Sequence, residues 1–275
     1  MGQSFYFGKK NVLAGKQYRT GTLGRALSDV YGDVDLAMKD MEAASAHMMP
    51  GPVSNDFCLE AGGTIPLPWA KTETGSDPSV DYSNGDLFGN LIAALGSTSE
   101  SQTAAIDWND KLYLHPADYG IVVEMGVIVS PETGSAMNAS AKAWIGLMTT
   151  YNATATSMDD YCFFNIAAGG LVASLDHNDG AGATDESIAA AYTFPDDTPV
   201  RLLWDMRDLT AVKVYAGDYG GEMSLVADPF DMSGMASGDG LQPAIVVSKS
   251  TGTSVDEVTL DYCKIWATGR HGAIA

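Results

Sequence analysis

From about residue 105 the chain takes on a period of two. Ile121, Val123, Met125, Val127 and Val129 alternate with Val122, Glu124, Gly126, Ile128 and Ser130 until Pro131 ends the run. Such alternation turns one face of an extended strand to a core and the other to solvent, and it puts Glu124 on the outer face. Shorter apolar stretches predict further strands at 143–149, 162–167, 171–175, 190–194, 200–206, 211–217, 222–226, 243–249 and 255–268. Clusters such as DHNDGAGATD at 176–185 and DPFDMSGMASGDG at 228–240 read as the turns between them. Many short strands with no helix between them predict a mainly β chain, an antiparallel β-sandwich.

The first part of the chain lacks this alternation. Residues 33–49 (DVDLAMKDMEAASAHMM) are good helix formers, with acids in the first turn and a stop at Pro50-Gly51-Pro52. A short helix is also expected at 86–95, ended by Gly96. Between them, 50–85 reads as irregular, with Pro66, Pro68, Pro78 and the polar stretch KTETGSDPSVDYSNGD. The expected division is an N-terminal arm plus helix at 1–50, an irregular connecting segment at 51–105, and the sandwich at 106–275.

Charge divides the chain more sharply than hydropathy. Residues 1–28 carry Lys9, Lys10, Lys16, Arg19 and Arg25 and no acid. The remaining ten of the 15 basic residues face all 35 acids. A basic arm before an acidic body is suited to lie on an acidic surface, such as a neighbouring copy. The acidic body is unsuited to nucleic acid, whose phosphates need basic surface. No apolar run approaches the roughly 20 residues that span a bilayer, and no apolar stretch follows the first lysines as in a signal peptide. Cys58, Cys162 and Cys263 are few and scattered. They read as reduced, buried thiols, with a single Cys162–Cys263 bridge as the alternative.

Candidate chemistry is sparse. His47, His115, His177 and His271 lie in no metal-binding spacing, and no phosphate loop, G-x-S-x-G or dinucleotide fingerprint is present. No strand carries two or three acids on one face, as a glycosidase would require. The loop containing Asp176, Asn178 and Asp179 is a weak candidate for Ca²⁺, without the later glutamate of a full calcium loop. Trp69 and Trp108 are the tryptophans expected outside the core strands, where they could stack on sugar rings. Trp144, Trp204 and Trp266 fall inside strands and are expected in the core. No cofactor is expected.

The C-terminal residues carry a resemblance. VRLLWDMRDLTAVKVYAGDYGGEM at 200–223, LQPAIVVSKST at 241–251 and VDEVTLDYCKIWATG at 255–269 follow one another as a hairpin and two closing strands. This succession resembles the late portion of the concanavalin A-like lectin/glucanase jelly roll. The likeness covers roughly 110–270 as an architecture and 200–268 in recognisable residues. It implies a jelly-roll sandwich, a fold found in lectins, in glycosidases and in structural proteins of tailed-bacteriophage virions. The chain departs from the enzymes in lacking their paired acidic motif, and from the legume-type lectins in lacking a clear acid-plus-Asn metal loop. The resemblance and the basic arm together imply a non-enzymatic virion structural protein, a capsid decoration or head-associated protein assembled in the host cytoplasm. Its expected partners are the major capsid protein and copies of itself, as a trimer or dimer, without nucleic acid or membrane. The alternative is a glycan-binding module, and after it a glycoside hydrolase of the same fold.

Overall fold

A computed structural model describes residues 53–56, 65, 68–83, 90–110, 112–150, 152, 158–180 and 186–268. The arm with Lys9, Lys10, Lys16, Arg19 and Arg25, the expected helix at 33–49 and Cys58 lie outside them. Fifteen strands are described: β1 Val53–Asp56, β2 Ala70–Thr74, β3 Ser79–Ser83, β4 Asn90–Ala94, β5 Gln102–Asp107, β6 Gly120–Ser130, β7 Ala141–Met148, β8 Asp160–Ile166, β9 Val172–Asp179, β10 Glu186–Thr193, β11 Val200–Met206, β12 Lys213–Asp218, β13 Ser224–Leu225, β14 Gln242–Lys249 and β15 Glu257–Thr268. They form two antiparallel sheets. Sheet A runs β13-β12-β11-β6-β15-β4-β3, with β1 also on β15, and sheet B runs β10-β9-β8-β7-β14-β5-β2. The antiparallel sandwich is therefore as expected.

Two expectations fail in the N-terminal half. Residues 90–94 form a strand, not the end of a helix, because Leu91 and Ala93 are wanted in the core and β4 pairs with both β3 and β15. The segment read as an irregular connector supplies five strands, and Pro52–Thr268 is one compact unit. The sandwich thus begins near residue 53, not at 106. Among the described residues helix is reduced to a 3-10 turn at Leu209–Ala211, capped by the Asp208 carboxylate accepting from Thr210 N.

The long strand behaves as its alternation requires. Ile121, Val123, Met125, Val127 and Val129 are buried between the sheets, facing Val200, Leu202, Trp204 and Met206 of β11 on the same face. In β15 the inward phase switches from Val258 and Leu260 to Cys263 and Ile265, because a bulge falls between Leu260 and Tyr262. Opposite the bulge stands Gly126, where a Cβ would meet the Tyr262 ring at 2.5 Å. Only glycine admits the ring there.

Sheet B is apolar on both faces at its centre. Ile145, Leu147, Cys162, Phe164, Ile245 and Val247 point inward, while Trp144, Tyr161, Phe163, Ala244 and Val246 form a second buried cluster on the outer face. That double burial explains why β7, β8 and β14 read as nearly continuous apolar runs. Cys162 and Cys263 are both free thiols, and burial pushes both pKa values up, so they are inert packing residues. At the edge of sheet B, β10 slips register between Ile188 and Tyr192, and Ala190 there takes φ 52°.

Candidate functional site

The ends of β7, β8 and β9 meet the 228–240 loop at one end of sheet B. β8 opens with Asp160, which pairs in register with Asp179 at the end of β9. Thr149, just past β7, donates its backbone N–H to the Asp160 carbonyl at 3.0 Å. The loop is held down by carboxylates: Asp179 accepts from Gly234 N at 2.9 Å, and Asp118 accepts from Ser237 Oγ at 2.6 Å and Gly238 N at 3.1 Å. Asp239 accepts from Ala236 N at 2.6 Å through Oδ2, and its carbonyl lies 3.1 Å from His115 Nδ1. Gly240 lets the Tyr113 ring lie against the loop, since a Cβ would stand 2.7 Å from that side chain.

Behind Tyr113 lies a polar network. The buried Gln242 accepts from Trp108 N at 2.9 Å and donates to Thr149 O at 2.6 Å and Asp110 Oδ1 at 3.0 Å. Asp110 is held below the usual carboxylate range by hydrogen bonds, first from Tyr113 and then from Thr150 and Gln242. This network fixes the aromatic wall.

These elements enclose a cavity of about 450 Å³ lined by Asp159, Asp160, Asp179, Asp239, Tyr113, Thr149 and a backbone rich in glycine. Asp160 is 3% exposed, and its Oδ1 has no hydrogen-bond partner. Burial, and then the charges of Asp239, Asp159 and Asp179, push its carboxyl up to about 6. Among the described residues no three of His, Cys, Asp or Glu are grouped to hold a metal ion.

Two site expectations are corrected here. Trp69 and Trp108 are not surface platforms: they are 2% and 0% exposed and pack edge to face in the core at 5.8 Å. The segment with Asp176, Asn178 and Asp179 is not a calcium loop. All three lie on β9, where alternation puts Asp176 and Asp179 on opposite faces. Asp176 is occupied by Asn165 Nδ2 at 2.7 Å, Ser174 Oγ at 2.7 Å and Ser187 Oγ at 2.6 Å. His177 between them is buried, stacked on Phe230 at 4.1 Å, and burial lowers its pKa. Glu124 is on the outer face as expected, accepting from Tyr262 Oη at 2.5 Å. Asp205 pairs with Arg207 at 2.6 Å. The sequence reading missed Asp159, Asp160, Asp239 and Tyr113.

The fold is that of the concanavalin A-like jelly roll. A protein of unknown function, SO2946 from Shewanella oneidensis MR-1, matches with a TM-score of 0.52 and 16% identity over 84% of this chain and 93% of its own. The lectin UEA-II, solved in complex with galactose, matches at 0.53 and 6% identity over 79% and 98%. SCLam, a non-specific endo-β-1,3(4)-glucanase of family GH16, matches at 0.51 and 13% identity over 79% and 91%. No family model matches the chain, and no curated protein matches it.

Proposed function

We propose that the chain is a non-enzymatic carbohydrate-binding module, with the loop-end cavity of Asp160 and Tyr113 as its site. The observation that carries this reading is the loop-end cavity itself, lined by four carboxylates, Asp160 among them, beside the Tyr113 ring. Carboxylates accept from sugar hydroxyls, glycine amides donate to them, and a fixed aromatic ring packs on the apolar face of a pyranose. Four aspartates repel anions, so the ligand is a neutral saccharide. The lectin and glucanase likenesses support the reading at the level of fold.

The test is a glycan array probed with the full chain, followed by titration calorimetry on each hit. Wild type should retain a neutral saccharide, while Asp160→Asn and Tyr113→Ala should lose it with the sandwich still folded. An array without any neutral hit overturns the reading. Asp160-dependent release of reducing ends from the bound saccharide would overturn it in favour of a hydrolase, since a carboxyl raised among other carboxylates is also the chemistry of a general acid.

A second reading concerns deployment, and it rests on the charge contrast between residues 1–28 and the rest. In it the arm with Lys9, Lys10, Lys16, Arg19 and Arg25 attaches the module to an acidic surface, a virion capsid lattice or further copies of the chain. Co-sedimentation with capsids at low and high salt tests this. Saturable binding that disappears without residues 1–28 would support it, and equal binding by both forms would end it.

A further inference from the structure

A second cavity, of about 480 Å³, lies at the opposite end of β7, beside Ala141 and not beside Met148. Its chemistry inverts that of the first. No carboxylate lines it. Its lining residues include Lys142, Lys249, Asn165, Ser101, Thr103, Ser248 and Ser250. In a chain with 35 acids, a cavity without one calls for a reason.

Lys142 has no carboxylate partner among the described residues. Lys71 is paired with Glu73, Arg207 with Asp205, and Lys249 donates to the carbonyls of Gly96 and Ser254. Lys142 instead sits 4.3 Å from the Trp144 ring centroid, and burial lowers its pKa. An ammonium taken partly out of water without a counter-charge is costly unless a ligand supplies one.

Register places the donors in a row. Lys142 on β7 is directly across from Ser248 on β14, which is directly across from Thr103 on β5. Strands about 4.8 Å apart make this row about 10 Å long, the span of one sugar ring with its substituents. No hydrogen bond within the described residues occupies the hydroxyls of Thr103 and Ser248, so both are open to a ligand. Asn165 is held by Trp144 Nε1 at 3.2 Å and by Asp176 at 2.7 Å, which fixes the wall behind Lys142.

We propose that the Lys142–Ser248–Thr103 row is a separate binding site for the oxyanion of an acidic saccharide, a uronate carboxylate or a sugar sulfate. Lys142 holds the negative group, and the hydroxyl row holds the ring oxygens. The site does not depend on the loop-end cavity, which takes neutral ligands and contributes none of these residues.

The test is titration calorimetry of the full chain at low salt with sodium glucuronate, glucose and sodium sulfate. Glucuronate should bind saturably and at least about tenfold more tightly than glucose, which carries a neutral hydroxymethyl group in place of the carboxylate. Lys142→Gln should lose about tenfold toward glucuronate, Lys142→Arg should keep most of it, and Asp160→Asn should leave it unchanged. If Lys142→Gln does not fold, Ser248→Ala and Thr103→Val, both half-buried, should each weaken glucuronate binding. Equal binding of glucuronate and glucose, or unchanged binding in these variants, overturns the proposal. Sulfate binding as tight as glucuronate would assign the site to a free oxyanion and overturn its saccharide part.

Discussion

Two buried aspartates occupy the same sandwich and meet opposite treatment. Asp256 is 1% exposed and its oxygens accept from Glu132 N at 3.1 Å, Asn138 N at 3.1 Å and Ser254 Oγ at 2.7 Å. Asp160 is 3% exposed, has an oxygen with no partner, and faces Asp159, Asp179 and Asp239 across a cavity. Burial alone does not distinguish them. Satisfaction does: a charge whose lone pairs are filled by its own fold holds that fold together, while one left open is held by the fold for something else.

The largest test of this contrast is Asp256→Ala. It strands two part-buried N–H groups and a buried hydroxyl, and should lower the unfolding free energy by about 3 kcal/mol, read from urea midpoints. A loss below about 1 kcal/mol would erase the distinction.

Asp160→Asn should act in the other direction. A carboxyl raised from 3.8 to about 6 holds its proton more tightly folded than unfolded, so its ionisation weighs against the fold. That cost is absent below about 3.8 and complete above about 6. The variant should therefore melt a few degrees above wild type near pH 7.5 and match it near pH 3.5. A variant that melts lower at neutral pH would mean that Asp160 is a structural group like Asp256. The smallest effect belongs to Arg207, 57% exposed and paired with Asp205. Arg207→Ala should cost less than about 0.5 kcal/mol, which sets the scale for charges at the surface.

What the sequence discloses depends on how a residue's neighbours are fixed. The inner face of β6 is local information, since period two alone assigns Ile121 to Val129. The strands of 53–107 are not. They are four to six residues long, and residues 90–94 (NLIAA) include the strong helix formers Leu91, Ala93 and Ala94, turned into a strand by β3 and β15 on either side. The acids of the cavity lie up to eighty residues apart and are joined only by strand register and a docked loop, so spacing could not find them. One signal was nonetheless present. Cys162, Phe164 and Ile166 share an inward phase, and the same phase carries Asp160 inward. Likewise Ala104, Ile106 and Trp108 share a phase, which places Trp108 in the core and not on a sugar.

The irregularity in β10 limits how this chain can associate. An eight-residue, largely exposed edge rich in alanine offers free backbone groups to any passing strand. The slip between Ile188 and Tyr192 interrupts that offer, and Ala190 is held in a left-handed conformation that L-residues adopt at a cost of roughly 1–2 kcal/mol. An incoming strand would find its ladder broken after two or three bonds. Copies of this chain should therefore not pair strand to strand along β10, and sheet B should not grow from that edge.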